Sequence, residues 1–574
     1  VTSSPKSRAR AERAVSAADA RLPALDSGRE LLRKAFPDHW SFLLGEIALY
    51  SFVVLLLTGT FLAFFFHPDM AHRPYAGPYA PLRGTLVSEA YASTMRISFE
   101  VRGGLLIRQI HHWGALIFVA SLGCHLLRVF LTGAFRRPRE VNWVIGVTMF
   151  GLALLEGYCG YSLPDDLLSG MGVRIAEGIM LSLPVVGSYL AFLVFGGEFP
   201  GEEIVSRFYL AHVLLLPGLL VALITAHLLL VVYLKHTQWP GPGRTNRNVV
   251  GKPLWPAYAA KSLGLFFAVF GVLAVLAATV QINPVWEYGP YRPDLASLDA
   301  QPDWYVGFLE GALRLMPGFE TDLAGHTLAW TTFLTGVVLP VALFAVLYAY
   351  PFFERRLTGD SQERHLCERP RNHPTRTALG AGGVAGYAVL LLAGGQDVLA
   401  HVFHTSLEGL VWVFRVAFFV VPVLAYLATK RLCLGLQATD RRRLAEGEGS
   451  GEAVRTAAGG YAEERLPLPA EAAYALLVRD VPVPTGRTPA AAGHHRRGLL
   501  RRRPLRLRVR DALSAWYFGQ RVDLPADEER RRRIEEILAP PTHPAPPRAR
   551  VLPPRSPGRQ VWHAVRWLLR GRGR

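Results

Sequence analysis

Four histidines lie within strongly apolar stretches, His111 and His125 in one and His212 and His227 in another. At about 100° of rotation per residue, separations of 14 and 15 return the second imidazole to within roughly 40° and 60° of the first, so each pair shares a helix face. At about 1.5 Å rise per residue the two members lie some 21 Å apart, too far to hold one metal jointly. Each helix must therefore serve two separate sites. If the two helices face one another, His111 meets His212 at one level and His125 meets His227 at the other. His112 falls roughly 140° away from His125 by the same geometry and is not a ligand. A lone histidine on an apolar helix is often a hydrogen-bonded core residue. Ionisable groups in membrane spans, however, are costly and usually functional, and four at mirrored spacing argue for two metal sites.

Two imidazoles per iron fill both axial positions of a haem, which closes it to oxygen and leaves electron transfer as its natural role. No Cys-x-x-Cys-His occurs, so covalent attachment is excluded and two non-covalent b-type haems are expected. Gly45 and Gly59 in the first apolar stretch, and Gly146 and Gly160 in a third, repeat the separation of 14. A glycine at each level would remove the side chain where a flat macrocycle must approach. Arg108 and Arg128 flank the histidine segment near its two ends, at the height where haem propionates need a cation. For Arg128, a basic anchor at the membrane surface is the competing explanation.

The elements that must position these residues follow from composition. The chain has 574 residues, of which 51% are hydrophobic, and a formal charge of +18. Apolar runs over 42–66, 105–130, 141–163, 213–234, 263–282, 328–350, 378–399 and 409–428 are long enough to cross a membrane, which predicts an all-α integral membrane protein of eight transmembrane helices. A ninth run, 179–195, is shorter and contains Pro184. With eight spans every strongly basic stretch falls on one side, as the positive-inside rule requires, whereas a ninth span would invert the later loops. The run is therefore expected to lie on the outer surface, and both termini in the cytoplasm of a multi-pass cell-membrane protein.

The predicted divisions are an N-terminal segment over 1–36, a dihaem four-helix bundle over 37–261, a second four-helix domain over 262–435 and a basic cytoplasmic extension over 436–574. No cleavable leader pattern occurs in the polar residues before the first span. The extension is rich in Arg, Ala and Pro, with few apolar residues to form a core. It is expected to lie against anionic lipid or a partner's cytoplasmic face, to be dispensable beyond residue 445, and to place a short amphipathic helix over 561–570. No nucleic-acid motif accompanies its charge, so no nucleic-acid partner is expected. The four cysteines, Cys124, Cys159, Cys367 and Cys433, have no metal-ligand spacing and imply no disulfide framework.

With these residues in view the chain resembles the cytochrome b subunit of cytochrome bc complexes, over roughly residues 37–436. The marks are the glycine pairs, Arg108-Gln109-Ile110-His111 followed by Gly114-Ala115, His125 with Arg128, Arg207-Phe208-Tyr209 before His212, and Pro302-Asp303-Trp304-Tyr305. The family usually has Glu at Asp303. That difference, the spacing of 15, Leu163-Pro164-Asp165-Asp166 in place of Leu-Pro-Trp, and the long basic tail resemble the actinobacterial branch. The resemblance implies a quinol:cytochrome c reductase that oxidises menaquinol at an outer site. One electron would go to a Rieske iron-sulfur protein and the other through both haems to an inner quinone site. The further partners implied are a dihaem cytochrome c subunit, often a cytochrome c oxidase, and a second copy in a homodimeric complex.

Within this scaffold the outer site is expected at Pro302 to Tyr305. There proline would start a helix, Asp303 would accept a proton in its first turn, and Trp304 and Tyr305 would wall an apolar pocket. Plain helix capping is the alternative reading of that motif. Glu310, on the same face, is a further candidate for proton transfer or for lining the pocket. For the inner site the candidates are His236, Lys261 and Asp38, against the simpler reading of a basic cytoplasmic rim. The family's Lys-Asp at the fifth span is here Lys261-Ser262, and its histidine five residues after the last haem ligand is Val232, so carry-over of inner proton donors is open. Two other classes compete. A transporter would need no paired histidines, and a dihaem b-type anchor of another quinone-linked oxidoreductase would generally have fewer spans and lack the Pro302 to Tyr305 loop.

Overall fold

The computed structural model describes residues 30–197, 199–295, 301–323, 325–360, 362–478, 504–519, 521–522 and 527–539. Among the described residues eight helices are long and apolar enough to cross a membrane. In chain order the helices used below are α1 (Trp40–Ala63), α2 (Glu89–Phe99), α3 (Gly104–Leu131), α4 (Glu140–Tyr161), α5 (Leu167–Leu181), α6 (Gly187–Phe195), α7 (Ile204–Tyr233), α8 (Leu254–Thr279), α9 (Gly307–Leu315), α10 (Trp330–Thr358), α11 (Pro374–Gly394), α12 (Leu407–Glu446) and α13 (Leu505–Phe518). The eight spans are α1, α3, α4, α7, α8, α10, α11 and α12. Their surfaces carry many exposed Leu, Val and Phe side chains, as a lipid-facing surface requires.

The first four spans pack as a bundle, with α1 on α3 and α4 on α7, and α8 lies against α1 and α3. Phe52 of α1, Phe118 and Leu122 of α3, Met149 and Ala153 of α4 and Leu220 of α7 close the middle of the bundle between the two histidine levels. The ninth apolar run forms no helix long enough to cross a membrane. It is split between the end of α5 and the whole of α6 by a turn holding Pro184 and Val185, the latter at φ +68°.

A π-helical turn, Ala211–Leu215, interrupts α7 and contains His212. Pro217 follows it, and α10 repeats the arrangement with a π turn at Leu334–Val338 ahead of Pro340. A proline ring clashes with the carbonyl four residues earlier, and one extra residue in the turn relieves that clash. In α7 the extra residue has a second consequence: the separation of 15 between His212 and His227 acts as 14, matching α3.

The second half differs from expectation at its end. Helix α12 runs unbroken past residue 435 to Glu446, so the proposed domain edge falls inside a helix. Beyond it come an antiparallel hairpin of Glu448–Arg455 with Tyr461–Leu466, a helix Ala470–Leu477 with four buried side chains, and α13. Helix α13 packs against α10 and α11 of the same chain, a contact not foreseen for the extension. Its Tyr517 and Phe518 bury against Leu357, and Tyr517 Oη donates to Glu354 Oε2 at 2.6 Å. Glu354 in turn faces Arg376, which is fully buried and bonded to Glu368 Oε2 at 2.5 Å. Charges this deep persist only when paired. Residues 524–574 form a separate unit, described as one helix, Asp527–Leu538, with Glu529 and Arg533 paired one turn apart. The amphipathic helix expected over 561–570 lies outside the described residues.

Candidate functional site

The two histidine levels form as the spacing requires. The rings of His111 and His212 have centroids 6.1 Å apart at an interplanar angle of 84°, and those of His125 and His227 are 6.4 Å apart at 74°. A metal midway needs about 2 Å to each nitrogen and roughly 1 Å more to each ring centre, about 6 Å in all. Both pairs stand at ligand spacing without touching. Among the described residues no group of three or more His, Cys, Asp or Glu side chains converges on a metal position, so the pairs fit an ion whose remaining ligands come from a macrocycle.

The surroundings fit a haem at each level. His111 Nδ1 lies 2.9 Å from Thr58 Oγ1, and His212 Nδ1 lies 3.0 Å from the Glu156 carboxylate and 3.1 Å from the Glu156 carbonyl oxygen. Such contacts fix ring orientation and leave Nε2 for a ligand. The Nδ1 atoms of His125 and His227 are buried without hydrogen-bond partners. A Cβ added at Gly45 would lie 3.0 Å from the His125 ring, one at Gly59 would lie 3.0 Å from the His111 ring, and one at Gly160 would collide with His212. Gly146 is different, since its nearest neighbour would be Leu126 at 3.5 Å, but it lines the inner cavity with Gly45. Three of the glycines therefore make room for the histidine rings themselves.

Arg108 lines the outer cavity and donates to the Asn283 carbonyl oxygen at 3.1 Å, while its Nε is buried without a partner. Arg128 lines the inner cavity, sits 4.4 Å from the centroid of Phe42, and also has an unpartnered buried Nε. Both orphaned guanidinium nitrogens suit an anionic group in the cavity.

The outer cavity measures about 250 Å³ against about 160 Å³ for the inner. The extra room lies beyond His111 and His212, where Asp303, Tyr305, His112, Tyr161 and Asp166 join the lining. Asp303 does not stand in the first turn of a helix: α9 begins four residues later, at Gly307, with Val306 as cap and no side-chain cap bond. Its carboxylate instead meets His112 Nε2 at 2.9 and 3.2 Å and accepts from Tyr305 Oη at 3.0 Å. Gly157 on α4 leaves space for the Tyr305 ring. Helix capping is thereby excluded as the role of this carboxylate. His112, set aside by the ligand geometry, is the residue that sequence reasoning missed. The available signal was its place on α3, one residue round from a ligand and therefore beside the same level.

Glu310 does not line this cavity. It pairs with Arg314, which reaches Asp397 at 2.9 Å, and burial pushes its carboxyl up to about 7.

On the opposite side His236 lines the inner cavity, its Nδ1 donating to the Thr237 carbonyl oxygen at 2.7 Å, and burial lowers its pKa to about 4. Asp38 pairs with Lys261 and, at 2.7 Å, with Lys252, and the two ammonium groups hold it down at about 2. Neither Asp38 nor Lys261 lines that cavity, so the three inner candidates fall into two places. A cluster not foreseen lies nearby: Glu46 of α1 accepts from Tyr258 and from Ser262 Oγ at 2.5 Å.

Residues 116–290 match the family model described as cytochrome b (N-terminal)/b6/petB. The chain is 51% identical over 514 residues to the cytochrome bc1 complex cytochrome b subunit of Streptomyces coelicolor, covering 90% of this chain and 94% of that relative. It is 51% identical over 444 residues to the subunit of the same name from Mycobacterium tuberculosis, covering 77% and 80%. It is 48% identical over 453 residues to that from Corynebacterium diphtheriae, covering 78% and 83%. A chain of a solved hyperthermophilic respiratory Complex III superposes with a TM-score of 0.53 at 21% identity, over 72% of this chain and 99% of the other, which speaks for the fold alone.

Proposed function

From the premise that this chain belongs to the cytochrome b subunits of bc1-type respiratory complexes, membrane proteins of electron transport, we propose that it holds two b-type haems and oxidises menaquinol at an outer site. The observation that carries this reading is the pair of opposed histidine levels at 6.1 and 6.4 Å. His111 and His212 would hold the outer haem and His125 and His227 the inner, with Arg108 and Arg128 facing their propionates. When bound, each haem would supply a one-electron relay. The first four spans would then be the dihaem bundle, and the segment between α8 and α9 would complete the outer quinol pocket through Asn283, Val285, Asp303 and Tyr305.

At that pocket the chain's own residues manage protons. Menaquinol would dock in the part of the outer cavity walled by Tyr305, and Asp303 would accept a hydroxyl proton. Tyr305 and His112 fix the carboxylate from two sides, and His112 offers the proton its next position. Preorganised groups of this kind accelerate proton transfer by about 10² to 10⁴-fold. One electron would leave to a Rieske iron-sulfur protein and the other cross to an inner quinone site near His236, with Asp38 and Lys261 at its rim. Electron passage from outer to inner side would couple turnover to proton translocation. A dihaem cytochrome c subunit, a cytochrome c oxidase and a second copy of the complex are the proposed partners. Both termini are proposed to be cytoplasmic, which the one-sided placement of basic loops supports.

The experiment is direct. Purified complex should contain two haems per chain and reduce its cytochrome c partner with menaquinol. A complex holding one haem, or none, would sink the reading.

A further inference from the structure

Of the four candidate ligand rings, one meets a carboxyl group. His212 Nδ1 lies 3.0 Å from Glu156 Oε1, and both side chains are largely buried. An imidazole that gives Nε2 to a metal keeps its proton on Nδ1, so the Glu156 oxygen is the acceptor in this contact. The other oxygen, Oε2, is buried without a hydrogen-bond partner. A carboxyl group inside a membrane span is costly and usually has a function.

Helix α4 carries this arrangement twice, with one difference. Glu156 stands four residues before Gly160, about 40° round the helix, so the two share a face. Gly160 leaves room for the His212 ring, and Glu156 meets its Nδ1. Fourteen residues earlier, Asn142 stands four residues before Gly146, and both line the inner cavity with His227. Asn142 is beside His227, yet His227 Nδ1 and Asn142 Oδ1 are both buried without hydrogen-bond partners. The outer ring thus has an acidic acceptor where the inner ring has a neutral amide that does not reach it. The facing rings differ in the same sense: His111 Nδ1 lies 2.9 Å from Thr58 Oγ1, and His125 Nδ1 has no partner.

We propose that Glu156 is a positioning residue that lowers the reduction potential of the outer haem through His212. This rests on the two-haem reading above. A hydrogen bond from Nδ1–H to a carboxyl oxygen moves electron density into the ring and makes Nε2 a stronger donor. A stronger donor favours ferric over ferrous iron, and hydrogen bonding to the axial ligand is one of the means by which a protein sets a haem potential. His125 and His227 have no such acceptor, so the difference between the two levels favours electron passage inward. One electron leaves the outer level and one arrives at the inner, with no bond made or broken.

The test is redox potentiometry of both haems in the assembled complex, comparing wild type with Glu156→Gln and Glu156→Ala, with EPR spectra of the ferric haems recorded on the same preparations. Glu156→Gln keeps the size and an acceptor oxygen but removes the carboxyl group, so the outer potential should rise and the inner stay in place. The expected size is about a tenfold fall in the equilibrium constant for passage from outer to inner level, equal to about 59 mV for one electron. The outer EPR signal should shift with it, because the donor strength of His212 changes. Glu156→Ala should move both readouts in the same direction. An unmoved outer potential in both variants would overturn this proposal and leave the two-haem reading standing. So would an equal rise at both haems, or a rise with an unchanged outer EPR signal, which marks a charge acting through space and not through the ring. Loss of the outer haem from both variants would also overturn it, making Glu156 a residue needed only to hold the ring. A wild-type complex with one haem or none would overturn both readings.

Discussion

His112 Nε2 stands 2.9 Å from Asp303 Oδ1, joining a histidine in the second span to a carboxylate 191 residues later in the loop before the sixth. The contact puts an acid-base pair beside the His111 and His212 level and faces it into the larger of the two cavities. Two adjacent histidines thereby serve different ends. His111 faces His212, and His112, about 100° round the helix, faces Asp303.

Replacing the carboxylate is therefore expected to affect the rate and not the pigment. Asp303→Asn should slow menaquinol oxidation by about 10² to 10⁴-fold while both haem spectra persist, and Asp303→Glu, the residue commoner in the family, should retain much more activity. His112→Ala should slow the same step by removing the proton's next position. Turnover measured with spectra on the same preparation decides this, and a wild-type rate in Asp303→Asn would assign the proton to another group.

The haem levels should be separable. His111→Ala or His212→Ala should remove the outer haem and spare the inner, and Gly160→Ala should do the same, because its Cβ would occupy the space of the His212 ring. Low-temperature reduced-minus-oxidised spectra would show which haem survives. Equal loss of both in each correctly inserted variant would contradict two independent sites.

Glu310 gives a pH dependence with a definite sign. Its carboxyl is raised from 4.5 to about 7 by burial, so the folded protein holds the proton more tightly than the unfolded chain. The contribution to stability is full below pH about 4.5 and is lost as pH rises through about 7. Thermal unfolding followed from pH 5 to 8 should show this decline in wild type and a flatter profile in Glu310→Gln. An unchanged slope in the variant would remove Glu310 from the account.

The tail should divide into a needed and a dispensable part. Truncation after residue 523 should leave haem content and turnover intact. Truncation after residue 478 should destabilise the second half, because Leu357 loses its cover and Glu354 loses the Tyr517 hydroxyl. Tyr517→Phe alone should cost about 1.5–3 kcal/mol, the range for a hydrogen bond to a charged group. Equal melting temperatures for the two truncations would show that α13 adds nothing.

Much of this protein follows from rules that act along a single helix. Membrane thickness sets span length, so eight apolar runs become eight spans. Helical periodicity sets which residues share a face, so the four histidines could be paired from their numbers alone. What periodicity left uneven, 14 residues against 15, the tertiary structure resolved by a π turn at His212 ahead of Pro217, a local defect that steric relief creates and that no regular period contains. The pairing of His112 with Asp303, the reach of Arg314 to Asp397, the meeting of Glu46 with Tyr258 and Ser262, and the docking of α13 onto α10 and α11 all join residues from different helices or loops. Such contacts depend on how helices rotate and lean against one another. That is set by the packing of the whole chain, so composition and spacing identified the groups able to do chemistry, and only the fold decided which of them share a cavity.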